Sequence, residues 1–412
     1  MTPTGPATPT AGTTATANPA AIPFVRVGLW AALISMVALA TDIMLPALGL
    51  MGPALGVPDD QPLGSVVTAM FLGFAAGQVV VGSLADAVGR RPVVLGGLAL
   101  FAVGCVVSMT ATSLPAMLAG RVLQGLGAAA PRVVVTAIVR DGLRGDAMAR
   151  VMSIVMAVFV LVPTIAPALG QAVLFLGDWR LVFAALGALA GLTGLWFALA
   201  QPETLPPDRR RPFSLRGIAG GFREVLAMRG PRAHILALGA VFGPFVGYLG
   251  AAQHLFQDVY RTGTAFAGYF AVAALAIGAA SLGNARLVER LGAARLVRRA
   301  FAAMAGLALA AGLLSLLLPG PLPLWGFMLW LVPTFGCVGF LFGNLSALAL
   351  EPLGARAGLG AAVVGSVSTL LSLPVAVLLA GISADGPAPL VWGFAVAGLA
   401  GLALVARTRR DA

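Results

Sequence analysis

Between Val27 and Ala40 the chain reads VGLWAALISMVALA without a single charge, and runs of this kind recur along most of its length. A helix needs about 20 such residues to cross the hydrocarbon of a bilayer. Soluble domains carry about 25% charged residues, whereas this chain has 10% charged and 59% hydrophobic residues. It cannot clothe a water-facing surface in the usual way, so it is read as an integral membrane protein. Run length predicts twelve helical spans, over 26–50, 63–84, 93–112, 114–139, 148–174, 180–200, 233–256, 264–287, 300–318, 322–350, 357–381 and 388–406.

The connections between spans alternate in charge. One set holds Arg90 and Arg91; Arg140, Arg144 and Arg150; the run Arg209 to Arg232; Arg286 to Arg299; Arg356; and Arg407, Arg409 and Arg410. The other holds Asp59, Asp60, Asp178, Asp258 and Asp385 against only Arg180 and Arg261. The positive-inside rule assigns the first set and both termini to the cytoplasm. The same rule accounts for the net charge of +11 without nucleic acid as a partner. The uncharged Pro/Thr/Ala-rich segment 1–25 has no periodicity and reads as a disordered tail. With no basic n-region, and with a full span following, it is not read as a secretory signal.

The longest interior loop, a cytoplasmic linker at 201–232, divides the spans six and six, giving bundles at 26–200 and 233–406 with a short tail at 407–412. A faint repeat crosses it. GSLADAVGRR at 82–91 is echoed by ARLVERLGAA at 285–294, pairing Asp86 with Glu289 and Gly89 with Gly292. Two six-helix bundles related by a pseudo-two-fold along the membrane normal, with substrate between them near the midplane, are an established transporter plan.

Within 82–92 the pattern is G-x-x-x-D-x-x-G-R-R. Gly82 is expected to let helices approach closely. Asp86 falls near the negative end of its helix, where an acid needs cations, and Arg90 and Arg91 are at hand. Such a charge knot works as a cytoplasmic latch, because opening it leaves charges unpaired. This signature resembles that of the major facilitator superfamily. LAGRVLQGLGAAA at 118–130, with Arg121, Gln124 and Gly125, is similar to the family's fourth-helix motif. PTIAPALGQ at 163–171, with Pro163, Pro167 and Gly170, resembles the fifth-helix motif of exporters, although Ala166 and Gln171 stand where glycine is common. TDIMLPAL, RDGLRGDAMARVMS, GDWRLVF and QPETL together resemble the bicyclomycin/chloramphenicol-resistance drug:proton antiporters. The resemblance implies the major facilitator fold, a monomer in the bacterial cytoplasmic membrane, and export driven by a proton gradient with no cofactor.

Asp42 sits in an otherwise apolar run, four residues before Pro46. Counting from Arg26 places it about 24 Å along its helix, in the outer half of the membrane. The fourth helix runs the other way, and Arg121 lies about 10 Å below its outer start, so the two charges can share a depth. Pro46 has no N–H for the carbonyl of Asp42, which predicts a kink. Ionisable groups inside membranes are functional by default. Burial disfavours a carboxylate's charge and a nearby arginine favours it, so a site whose conformations change that balance can bind and release a proton. Asp42 is therefore the expected coupling acid, tuned by Arg121; the alternative is a purely structural pair.

Candidate cavity residues are Met44, Phe71, Gln124, Met156, Gln171, Gln253, Phe256 and Asn344, with Met36, Met70, Met152, Phe159 and Ser346 behind them. Any one of these can instead be a helix–helix contact. Arg132, beside Pro131, matches no family pattern. His254 and Asp258 read as interfacial, and Cys105 and Cys337 as packing residues. No Walker A loop can exist in a chain without lysine, and no His/Cys cluster has metal-ligand spacing, so neither direct ATP drive, a metal site nor an enzyme is expected. Two other readings stay open: a proton-coupled importer of the same fold, and a nontransporting membrane sensor.

Overall fold

The computed structural model describes residues 24–58, 63–143 and 145–407. The tail 1–23, Asp59, Asp60, Arg144, Arg409 and Arg410 lie outside the described residues, as do the side chains of Asp146, Arg356 and Arg407. The described chain is helical, without strands, and holds twelve helices long and apolar enough to span a membrane. In the first half these are Val25–Ala54 (α1), Gly64–Val88 (α2), Arg90–Met109 (α3), Leu114–Gly142 (α4), Arg150–Leu174 (α5) and Arg180–Ala200 (α6). In the second they are Arg229–Val259 (α7), Gly263–Leu291 (α8), Ala293–Leu317 (α9), Leu324–Gly354 (α10), Gly358–Ile382 (α11) and Ala388–Ala406 (α12).

In the first half α4 packs between α2 and α3, while α1 packs on α4 and α5. In the second, α7 lies against α11 and α12, and α8 against α10. The two halves meet along α2 with α11 and α5 with α8, and α2 also packs on α7. The sequence echo has a backbone counterpart. Gly89 between α2 and α3 has φ 113°, and Gly292 between α8 and α9 has φ 77°. Each makes the same tight reversal at the same place in its half, in a region that disfavours side chains with a Cβ.

Two expectations need correction. The stretch 201–232 is not all loop, because Leu215–Ala227 forms a helix. Ser214 caps it by accepting from the Gly217 N–H at 3.0 Å, which satisfies one of the free donors at a helix start. Its buried positions Ile218, Gly221 and Val225 share one face, and Gly221 lies against Leu359 of α11. The arginines of this stretch sit on the opposite, exposed face, which is why it read as a charged loop. Gly82, expected at a helix contact, faces open space: a Cβ there meets nothing within 4 Å. One turn earlier Gln78 reaches Gly365 of α11.

Candidate functional site

The kink expected at Pro46 is a full break. The first segment of α1 ends at Asp42, a turn follows, Leu45–Ala47 is a 3₁₀ helix, and an α-helix resumes at Leu48. Pro46 withholds the N–H that the carbonyl of Asp42 needs, so the regular ladder stops there. Gly170 of α5 presses on this break. Its Cα sits so close to the carbonyl of Ile43 that no Cβ fits between them. The fifth-helix motif thus holds α5 against the interruption that carries the acid.

Asp42 is 4% exposed, and no described residue pairs with it by hydrogen bond or salt bridge. Arg121, fully buried, lies at the expected depth but grips backbone. Its Nε donates to the carbonyl of Val66 at 3.1 Å and its Nη1 to that of Ala40 at 3.2 Å. Nη1 also donates to Gln124 Oε1 at 2.5 Å, and Nη2 contacts Met70 Sδ at 2.9 Å. The guanidinium therefore clamps α1 two residues before Asp42 instead of forming a direct ion pair with it.

The clamp changes the reading of several cavity candidates. Gln124 is wholly enclosed, and its amide donates to Cys105 Sγ and Ser108 Oγ, each at 3.4 Å. It holds Arg121 and lines no cavity. Gly125, one residue on, lets α4 lie against the backbone of Met70 and Phe74. Met44 is sealed within the break. Phe256 is sealed among Tyr260, Phe266, Tyr269 and Phe327. Asn344 staples α10 to α8 by donating to Asn284 Oδ1 at 2.7 Å. These four are packing groups because their polar atoms are satisfied or their surfaces enclosed. Phe71 keeps its place between the halves, edge-on to Phe242 of α7 at 5.6 Å. Gln253 borders Gly49 across the same division and donates to Gln257 at 3.0 Å. Met156 and Gln171 are half-buried on α5.

A residue the sequence did not single out joins the site. Tyr248 of α7 is fully buried, its ring packed on Phe270 and Phe335. Its hydroxyl has no hydrogen-bond partner among the described residues, and α7 packs on the Leu45–Ala47 turn that follows Asp42, across the division between the halves. A tyrosine in the middle of an apolar span was the available signal, since burying its hydroxyl calls for a partner.

The charge knot at the arginine-rich end is built from one half and the linker. Arg90, 6% exposed, bonds Asp86 at 2.5 Å and Asp141 at 3.2 Å. Arg91 donates to the carbonyl of Ala198 at 2.6 Å. Glu203 of QPETL carried no expected role, yet its two oxygens accept from the N–H groups of Arg90 and Arg91 at 2.9 and 3.0 Å, capping α3. Partial burial works against its charge, but the N–H groups of Leu205, Arg90, Arg91 and Thr204 outweigh that and hold its carboxyl below the usual range. The halves also touch at this end where Arg140 reaches Gly358 of α11. At the arginine-poor end Gly64 of α2 meets Gly250 of α7 and Ala380 of α11. There His254 bonds Asp258 at 2.9 Å and the carbonyl of Ala384 at 2.8 Å.

Comparison with known proteins follows the same lines. The sequence profile described as Major Facilitator Superfamily matches residues 30–376. The chain is 27% identical to the bicyclomycin resistance protein homolog of Haemophilus influenzae, over 85% of this chain and 87% of that one. It is 28% identical to the multidrug resistance protein MdtM of Escherichia coli (strain K12), over 46% of each chain. Its fold superposes on a crystal structure of a D-xylose-proton symporter with TM-score 0.72 at 15% identity, covering 92% of this chain and 97% of the other.

Proposed function

This chain belongs to the Major Facilitator Superfamily, and we propose that within it the protein is a proton-coupled exporter of small amphipathic compounds. The family and fold are those of membrane transporters of small molecules, not of enzymes. Support for drug export comes from relatives named for bicyclomycin and multidrug resistance. The proton reading is carried by one observation: Asp42 is buried at a broken helix, without a described partner, beside the division between the halves.

A buried carboxylate without a partner is costly, and a proton removes that cost. Arg121 is a fixed charge, held by two carbonyls and Gln124, so it changes little when Asp42 titrates. Rocking of the halves alters what faces Asp42 from α7, Tyr248 included. Each conformation then sets its own proton affinity, which is what coupling requires. Gly82, facing open space, marks where α2 is free to close on the second half in the opposite state. In this scheme the arginine-rich loops and both termini are cytoplasmic.

Everted vesicles test the reading. Amphipathic compounds added to vesicles with a preset pH gradient will collapse it when they carry the native protein and leave it intact when they carry Asp42→Asn. A susceptibility panel in an efflux-deficient host will show protection by the native chain alone. Gradient collapse undiminished in Asp42→Asn removes the coupling role, and heightened susceptibility with the native chain assigns import.

A further inference from the structure

Among the described residues, the charged side chains at least seven residues from both ends of their spans are Asp42, Arg121 and Arg132. One acid thus stands against two arginines in the interior of the first half. Arg121 is satisfied by backbone and Gln124. Arg132 is not: no described carboxylate, carbonyl or side-chain oxygen accepts from its guanidinium. What it does have is the ring of Phe159 on α5, 5.3 Å from Cζ to the ring centroid.

The placement of Arg132 on α4 is informative. Eleven residues separate it from Arg121, about three turns and 16 Å toward the arginine-rich end, within about 20° of the same face. Arg121 is fully buried there, and Arg132 is half-buried against Phe159 of α5. Asp42 lies near the level of Arg121 and so stands about three turns away, too far to be the missing counter-charge. Phe159 shares a face of α5 with half-buried Met152 and Met156, and the neighbouring Val160 abuts Gly278 of α8 at the seam between the halves. Stacking covers one face of a guanidinium and leaves its five in-plane N–H donors free. Exposed arginines satisfy those donors with water, but one set this deep in a span needs an acceptor brought to it.

We propose that Arg132 is a substrate-recognition residue, and that the compounds carried are amphipathic organic anions. The guanidinium binds a carboxylate or similar oxyanion, and Phe159 with the α5 methionines takes the attached ring. This deepens the export reading by fixing the charge of its substrate, and it rests on the transporter reading alone, independent of the proton. A planar fork matches a carboxylate in two parallel bonds, which a point charge does not reproduce.

Three probes of one shape isolate the charge: 1-naphthoate, 1-naphthalenemethanol and 1-naphthylmethylammonium. Equilibrium binding to the purified full chain is measured in detergent at one fixed pH. The native protein will bind naphthoate about tenfold or more tighter than either other probe. Arg132→Gln will abolish that preference, Arg132→Lys will keep part of it, and Phe159→Leu will weaken all three probes together. Equal affinities in the native protein, preference for the ammonium, binding of none of the three, or a preference that survives Arg132→Gln each overturns the proposal. If Arg132→Gln does not fold, the native ranking and Phe159→Leu still decide. Binding is read without a gradient and coupling in the everted-vesicle assay, so failure of proton coupling and failure of anion recognition are read separately.

Discussion

Tyr248 and Asp42 each carry a buried polar end without a described partner, one in each half. A hydroxyl buried without a hydrogen bond costs about 1–3 kcal/mol, so Tyr248→Phe will leave thermal stability unchanged or raise it. The same variant will shift the pH profile of transport, because it removes a buried polar group from α7, the second-half helix that packs on the break after the acid. A marked fall in melting temperature with an unmoved pH profile would show the hydroxyl to be structural. The depth arithmetic from sequence brought Arg121 to the right level, since rise per residue is fixed in a helix. It did not reveal that Arg121 takes the carbonyls of Ala40 and Val66. Those acceptors are backbone atoms, present at every position, and which of them a side chain meets depends on helix packing. Gln124 and Asn344 were misjudged for the same reason: a polar group in a span looks alike whether it faces a cavity or another helix.

Among the elements, the break in α1 and the capped start of α3 are the most exposed to test. A side chain at Gly170 meets the carbonyl of Ile43, so Gly170→Leu must push α5 away from the break. Overpacking of this kind costs about 1–3 kcal/mol, and transport will fall even where the protein still reaches the membrane; full transport with native stability would remove the proposed brace. Glu203→Gln tests the cap. The native carboxyl is held below the usual carboxylate range, so its stabilisation is fully present above that range and is lost as pH falls through the folded-state value. The melting-temperature gap between native protein and Glu203→Gln will therefore be open at neutral pH and close progressively in acid. A gap that widens in acid would contradict the cap. Sequence made the break legible, because proline's missing N–H is a local fact. The cap was not legible, because Glu203 and Arg90 lie 113 residues apart. The linker helix was hidden by its arginines, which mark an exposed face as readily as a loop.

For the whole molecule, span count and the repeat were readable because bilayer thickness imposes one length on every crossing. Paired positive-φ glycines at Gly89 and Gly292 tie the repeat to the backbone. Contacts between the halves were not readable, since they join residues with no local signature, such as Gly64 with Gly250. Those contacts decide whether Asp42 couples a proton to movement. The most direct measurement separates exchange from drive in reconstituted vesicles carrying native protein or Asp42→Asn. Counterflow of a labelled compound that the native protein exports will persist in the variant without a gradient, because binding and rocking need no proton change. Accumulation driven by a pH gradient will be lost. Gradient-driven accumulation equal to that of the native protein, or loss of counterflow along with it, would contradict the assignment of Asp42 as the coupling acid.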